Sequence, residues 1–89
     1  FFENMILKNM IHLESLYFDF CKIKLEEIGK FRNFSNLRFL SLISNDISSI
    51  KCGLFQGLTN LEILILNNNL IKFIENQSFI ELKKLKKLH

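Results

Sequence analysis

The chain repeats itself every 24 residues, and that period limits its possible folds more than any other property. "LESLYFDFCKI" begins at Leu13, "LRFLSLISNDI" at Leu37, "LEILILNNNLI" at Leu61, and a fourth start, "LKKLH", at Leu85. The agreement continues inside each unit. The first, fourth and sixth positions are Leu13, Leu16 and Phe18, then Leu37, Leu40 and Leu42, then Leu61, Leu64 and Leu66. The ninth is Cys21, Asn45 and Asn69, and the eleventh is Ile23, Ile47 and Ile71. Large apolar residues recur at the nineteenth (Phe31, Phe55, Phe79) and the twenty-second (Phe34, Leu58, Leu82). Phe2, Leu7 and Met10 fit the fourteenth, nineteenth and twenty-second positions of an earlier unit. A short unit cannot bury its apolar face alone, so such a chain must stack its units on one another.

One position breaks the phase. Glu26 stands where Ile50 and Ile74 stand in the later units. Either Leu25 or Ile28 is expected to turn inward in its place.

The pattern L-x-x-L-x-L-x-x-N/C-x-L resembles that of the leucine-rich repeat family, and the resemblance covers essentially the whole chain. A 24-residue unit with Phe at its nineteenth position is similar to the subclass common in animal extracellular proteins, such as Toll-type receptors, Slit-like guidance proteins and hormone receptors. The fold this implies is an α/β solenoid, curved and right-handed. Short parallel strands line its concave face, and irregular or 3-10 turns line the convex one. On this reading residues 1–12 are the tail of one unit, 13–36, 37–60 and 61–84 are whole units, and 85–89 begin another. The chain reads as a fragment of a longer protein. It starts and stops inside units and has no flanking cysteine cluster, so it is expected to be marginally stable or prone to aggregate alone.

The resemblance also gives the asparagines a task. Position nine follows the strand, where the chain turns back across the core. Backbone groups left unpaired there cost about 1–3 kcal/mol each. An inward Asn offers two donors and an acceptor to them. Asn45 and Asn69 are therefore expected to form a ladder bonding the turn of their own unit and the next, with Cys21 as a weaker substitute. Asn67 and Asn68 should face solvent or a partner. Phe31, Phe55 and Phe79 are expected to stack as a spine along the convex side.

The outward strand positions, three, five and seven, are where recognition could sit. They hold Ser15, Tyr17 and Asp19, then Phe39, Ser41 and Ile43, then Ile63, Ile65 and Asn67, with Lys87 and His89 beginning the next row. Tyr17, Phe39, Ile43, Ile63 and Ile65, with Asn67 beside them, form a candidate partner-binding patch. A plainer reading also stands: β-branched residues suit strands, and flanking parts of a parent chain could cover them. Glu14, Arg38, Glu62 and Lys86 share position two, and their alternating sign suits stacking between neighbours.

Other functions find little in the sequence. The net charge is +3, from 12 Lys+Arg against 9 Asp+Glu, with much of the excess at Lys83, Lys84, Lys86 and Lys87, and no sustained basic stripe calls for nucleic acid. No apolar run approaches the roughly 18 residues of a membrane span, so any membrane contact is assigned to other parts of a parent chain. His12 and His89 are the only histidines. They form no Ser-His-Asp or Cys-His arrangement in phase, and Glu26-Glu27 is a carboxylate pair in sequence only. Gly29, Gly53 and Gly57 lack phosphate-loop spacing. Cys21 and Cys52 make neither a disulfide framework nor a zinc site. No catalytic residue, metal ligand or cofactor is expected. The sequons Asn33-Phe34-Ser35 and Asn76-Gln77-Ser78 both lie outside the strand positions, so Asn33 and Asn76 are glycosylation candidates. The expected role is non-catalytic recognition of a protein ligand in an extracellular or cell-surface array. An intracellular adaptor or regulatory subunit is the alternative, compatible with free cysteines.

Overall fold

A computed structural model describes residues 12–23 and 28–89. Phe2, Leu7, Met10, Leu25 and Glu26 lie outside the described residues.

Six short strands carry the architecture: β1 (Ser15–Tyr17), β2 (Phe39–Ser41), β3 (Ser49–Ile50), β4 (Ile63–Ile65), β5 (Phe73–Ile74) and β6 (Lys87–Leu88). They form two sheets, one ordered β1-β2-β4-β6 and the other pairing β3 with β5. Every pairing is parallel and in register at one full repeat: Ser15 with Phe39, Phe39 with Ile63, Ile63 with Lys87, and Ser49 with Phe73. A 3-10 helix (Gly29–Asn33) fills the back of the first whole unit. Turns take that place in the later two.

The strands are short because only one residue in each must point inward. Leu40 and Leu64 are fully buried behind β2 and β4, with Leu37, Leu42, Leu61 and Leu66 on either side. Complete burial of one such leucine contributes about 2 kcal/mol. After β1, β2 and β4 the chain reverses through a left-handed residue at position eight: Phe20 (φ 59°), Ser44 (φ 56°) and Asn68 (φ 60°). The chain then crosses the core at Ile23 and Ile47, both fully buried.

The second sheet was not foreseen. Position fourteen recurs in the sequence as an apolar site. Its residues also pair, Ile50 with Ile74, in a ladder two residues long. Ile50 is buried beneath it, whereas Ile74 on the last unit is exposed. Around the shifted phase of the first unit, Ile28 is buried.

Phe31 and Phe55 are buried in the core, and Phe79 is packed against it. Phe55 and Phe79 stack with centroids 6.0 Å apart, and Phe31 stacks on Phe18 at 5.5 Å and on Phe34 at 5.9 Å. The first unit thus gathers three rings, Phe18 and Phe34 flanking Phe31.

Candidate functional site

The face of the four-stranded sheet and the turn that follows it hold the residues singled out from the sequence. The turn is organised by the asparagines. Asn45 Oδ1 accepts from the backbone N–H of Cys21 (3.0 Å) and Ile23 (2.8 Å), while its Nδ2 donates to the carbonyls of Phe18 (2.8 Å) and Ile43 (3.3 Å). Asn69 repeats the pattern one unit later. It accepts from Asn45 N–H (3.1 Å) and Ile47 N–H (3.2 Å), and donates to the carbonyls of Leu42 (2.8 Å) and Leu66 (2.9 Å). The ladder therefore runs from each unit to the one before it, not to the next. The cause is geometric: the side chain enters the core below the preceding turn, whose N–H groups point toward it. Cys21 Sγ donates to the Asp19 carbonyl within its own turn at 3.3 Å. Asn45 is buried, Asn69 is half-buried, and Asn67 and Asn68 are exposed.

On the sheet face, Phe39 and Ile63 lie side by side in register, and Ser41 lies between Tyr17 and Ile65. Tyr17 is 64% exposed and rests on Phe39, with centroids 4.8 Å apart. Phe39, Ile43, Ile63 and Ile65 are half-buried, and Asn67 is exposed beside them. Ser41 departs from expectation. It was placed among the outward residues, yet it is only 1% exposed. Its neighbours in the flanking strands are larger, and its hydroxyl donates to Asp19 Oδ1 at 2.6 Å. The same oxygen accepts from Ile43 N–H at 3.0 Å, so Asp19 stitches β1 to the end of β2.

Sequence reasoning overlooked Phe20, which is 76% exposed in a left-handed conformation. The available signal was its place at position eight, where the later units carry Ser44 and Asn68.

The charged position-two residues form a surface ladder. Arg38 bonds Glu62 at 2.7 Å and lies 3.9 Å from Glu14, and Lys86 reaches Glu62 at 3.2 Å. The hydrogen bond from Arg38, followed by that from Lys86, holds the Glu62 carboxyl below the usual range. The Glu62 carboxylate in turn raises Arg38. Beside this ladder lies an open polar hollow of about 450 Å³ with His12, Asn36, Asn60 and Lys84 on its walls.

The glycosylation candidates sit away from the sheet. Asn76 is exposed in the turn after β5. Ser78 of its sequon is buried, its hydroxyl donating to the carbonyl of Glu75 with that of Ile50 also within 3.2 Å. That serine has a structural task whether or not Asn76 is modified. Asn33 closes the 3-10 helix, and its side chain lies outside the description. Cys21 and Cys52 are both free thiols. Among the described residues, no group of three His, Cys, Asp or Glu could hold a metal ion, and no helix is long and apolar enough to cross a membrane.

A family model described as leucine rich repeat matches residues 35–89. The chain belongs to the leucine-rich repeat family. The parallel strands, joined at one-unit register with little helix between them, are what a small leucine-rich repeat solenoid requires. A search of curated proteins found no match. Leucine-rich repeats are typically non-catalytic scaffolds for protein interaction, and membership suggests that role for this chain.

Proposed function

We propose that the chain is the recognition part of an extracellular receptor or adhesion protein, binding a protein ligand on the face of the four-stranded sheet. The observation that carries this reading is Tyr17, largely exposed on the sheet face and resting on Phe39. Aromatic residues with half-buried apolar neighbours are the usual anchors at interface centres. Phe39, Ile43, Ile63 and Ile65 supply those neighbours, with Asn67 at the rim. The exposed Asn76, away from the face, supports the extracellular placement, because a glycan there leaves the sheet open. The intracellular adaptor is the second reading, and the free, exposed Cys52 favours it.

Phe39→Glu combined with Ile63→Lys tests the face. The two positions are register partners, so the new side chains carry opposite charges side by side and the strands stay paired. Partner binding should be lost with the far-UV circular dichroism unchanged. Retained binding by the folded double variant rejects the sheet face. Peptide mass spectrometry of the full-length parent from animal cells tests the compartment. Glycan at Asn33 or Asn76 supports the extracellular reading, and bare sites in a cytosolic protein support the adaptor.

A further inference from the structure

The corner of the sheet face at β1 brings together a carboxylate, an exposed tyrosine and an exposed phenylalanine. Asp19 presents a carboxylate fixed at one oxygen, Oδ1, by Ser41 and the Ile43 N–H. Its second oxygen is uncommitted among the described residues, and no described Lys or Arg pairs with it. Tyr17, two residues earlier on the same side of the strand, packs on Phe39 yet leaves most of its surface open. Phe20 follows directly, its N–H bonded to the Ile43 carbonyl at 2.9 Å. It holds a left-handed φ of 59°. That conformation costs a residue with a Cβ about 1–2 kcal/mol. Asn tolerates it better, and Asn68 stands at the same place two units on. The turn imposes that conformation in every unit, so what it leaves unaccounted for is an exposed aromatic ring where the later units carry Ser44 and Asn68.

Resting on the sheet-face reading above, we infer that Tyr17, Asp19 and Phe20, with Phe39 behind them, form a subsite for a cationic side chain, lysine or arginine, of the protein ligand. Aromatic faces attract cations through the ring quadrupole. A carboxylate adds a charge-assisted hydrogen bond. The alternatives fit worse. An apolar side chain would strip water from the free Asp19 oxygen without replacing its hydrogen bond. An acidic one would meet like charge.

The test is selection of a displayed random peptide library on the immobilised full chain. Tyr17 is the sole tyrosine and there is no tryptophan, so tyrosine emission reports directly on the corner when a selected peptide is added. Peptides enriched in Lys or Arg are expected, each changing that emission. Asp19→Asn keeps an acceptor at Oδ1 and therefore the bonds to Ser41 and Ile43, and it removes only the charge. It should weaken the selected peptides about tenfold. Tyr17→Leu should weaken them about threefold. Phe20→Asn should weaken binding while raising the thermal midpoint, an outcome that misfolding cannot imitate. Peptides that are blocked by the Phe39→Glu, Ile63→Lys variant but lack basic enrichment, and bind Asp19→Asn equally well, overturn the subsite and leave the sheet-face reading standing. Peptides indifferent to that double variant, or no recovered peptides at all, overturn both.

Discussion

Truncating Asn45 to alanine tests the organisation of the turns most directly. Its side chain is 4% exposed and makes four hydrogen bonds, two of them accepted from the backbone of the preceding unit. The carbonyl of Ile43 keeps a second partner in the Phe20 N–H, so the loss falls on the two donors and on the carbonyl of Phe18. The N–H of Ile23, a fully buried residue, would be left unsatisfied at a cost of about 1–3 kcal/mol. The N–H of half-buried Cys21 can reach water in part and adds less. The expected sum is about 3 kcal/mol. A chain of this length has a total stability of roughly 4–13 kcal/mol. Urea unfolding of the full chain measures the change, with exposed Asn67→Ala as the control, expected within about 0.5 kcal/mol of the parent. Hydrogen exchange adds a local reading: the amides of Cys21 and Ile23 should lose about a hundredfold in protection. An Asn45→Ala loss within about 1 kcal/mol of the control, with both amides still protected, refutes the account of the ladder.

Gly57→Ala should cost about 3 kcal/mol or more in thermal or urea unfolding, because a Cβ there collides with the Arg32 carbonyl oxygen at a φ of +92°. Gly53→Ala, at φ +84° with open space, should cost only about 1 kcal/mol in the same measurement. Glu62 has a lowered folded-state pKa through Arg38 and Lys86, so its contribution is complete above the unfolded carboxylate range and is lost as pH falls through the folded value. Urea midpoints across that interval should fall less steeply for Glu62→Gln than for the parent, and equal slopes would exclude the pairing. A thiol reagent should modify exposed Cys52 at least several-fold faster than half-buried Cys21, whose Sγ bonds the Asp19 carbonyl. Equal rates would contradict the packing of the first turn.

The strand positions were legible because they depend on a property of each residue alone. Leu16, Leu40 and Leu64 repeat at one spacing, and apolar residues at that spacing have to share a side. The asparagine positions were legible for the same reason, since a polar residue repeated inside an oily frame must bond backbone. What stayed hidden depends on neighbours in other units. Ser41 occupies an outward position, and its burial comes from Asp19 and the larger side chains on either side of it. The direction of the asparagine ladder follows from where the preceding turn aims its N–H groups, which no spacing records. The β3–β5 pairing is two residues long, too short for an alternating pattern to emerge. Phe20 was passed over because an aromatic residue in a Phe-rich chain reads as core, and only its backbone angle and exposure set it apart.

Three separate ladders in this molecule keep the same step: the main sheet, the small β3–β5 sheet and the asparagine turns all pair residues one unit apart. Their common step makes the tolerance of the chain to insertions and deletions quantised. Losing a single residue between β2 and β3 sets the β3–β5 ladder out of phase with the main sheet. No slip of one strand can restore both, because each has its own fixed place in the cycle. Gaining one entire unit at the same point disturbs none of them. Length can therefore change in steps of a complete cycle with the face intact, while changes of one or a few residues are confined to the turns on the far side, where no ladder keeps count.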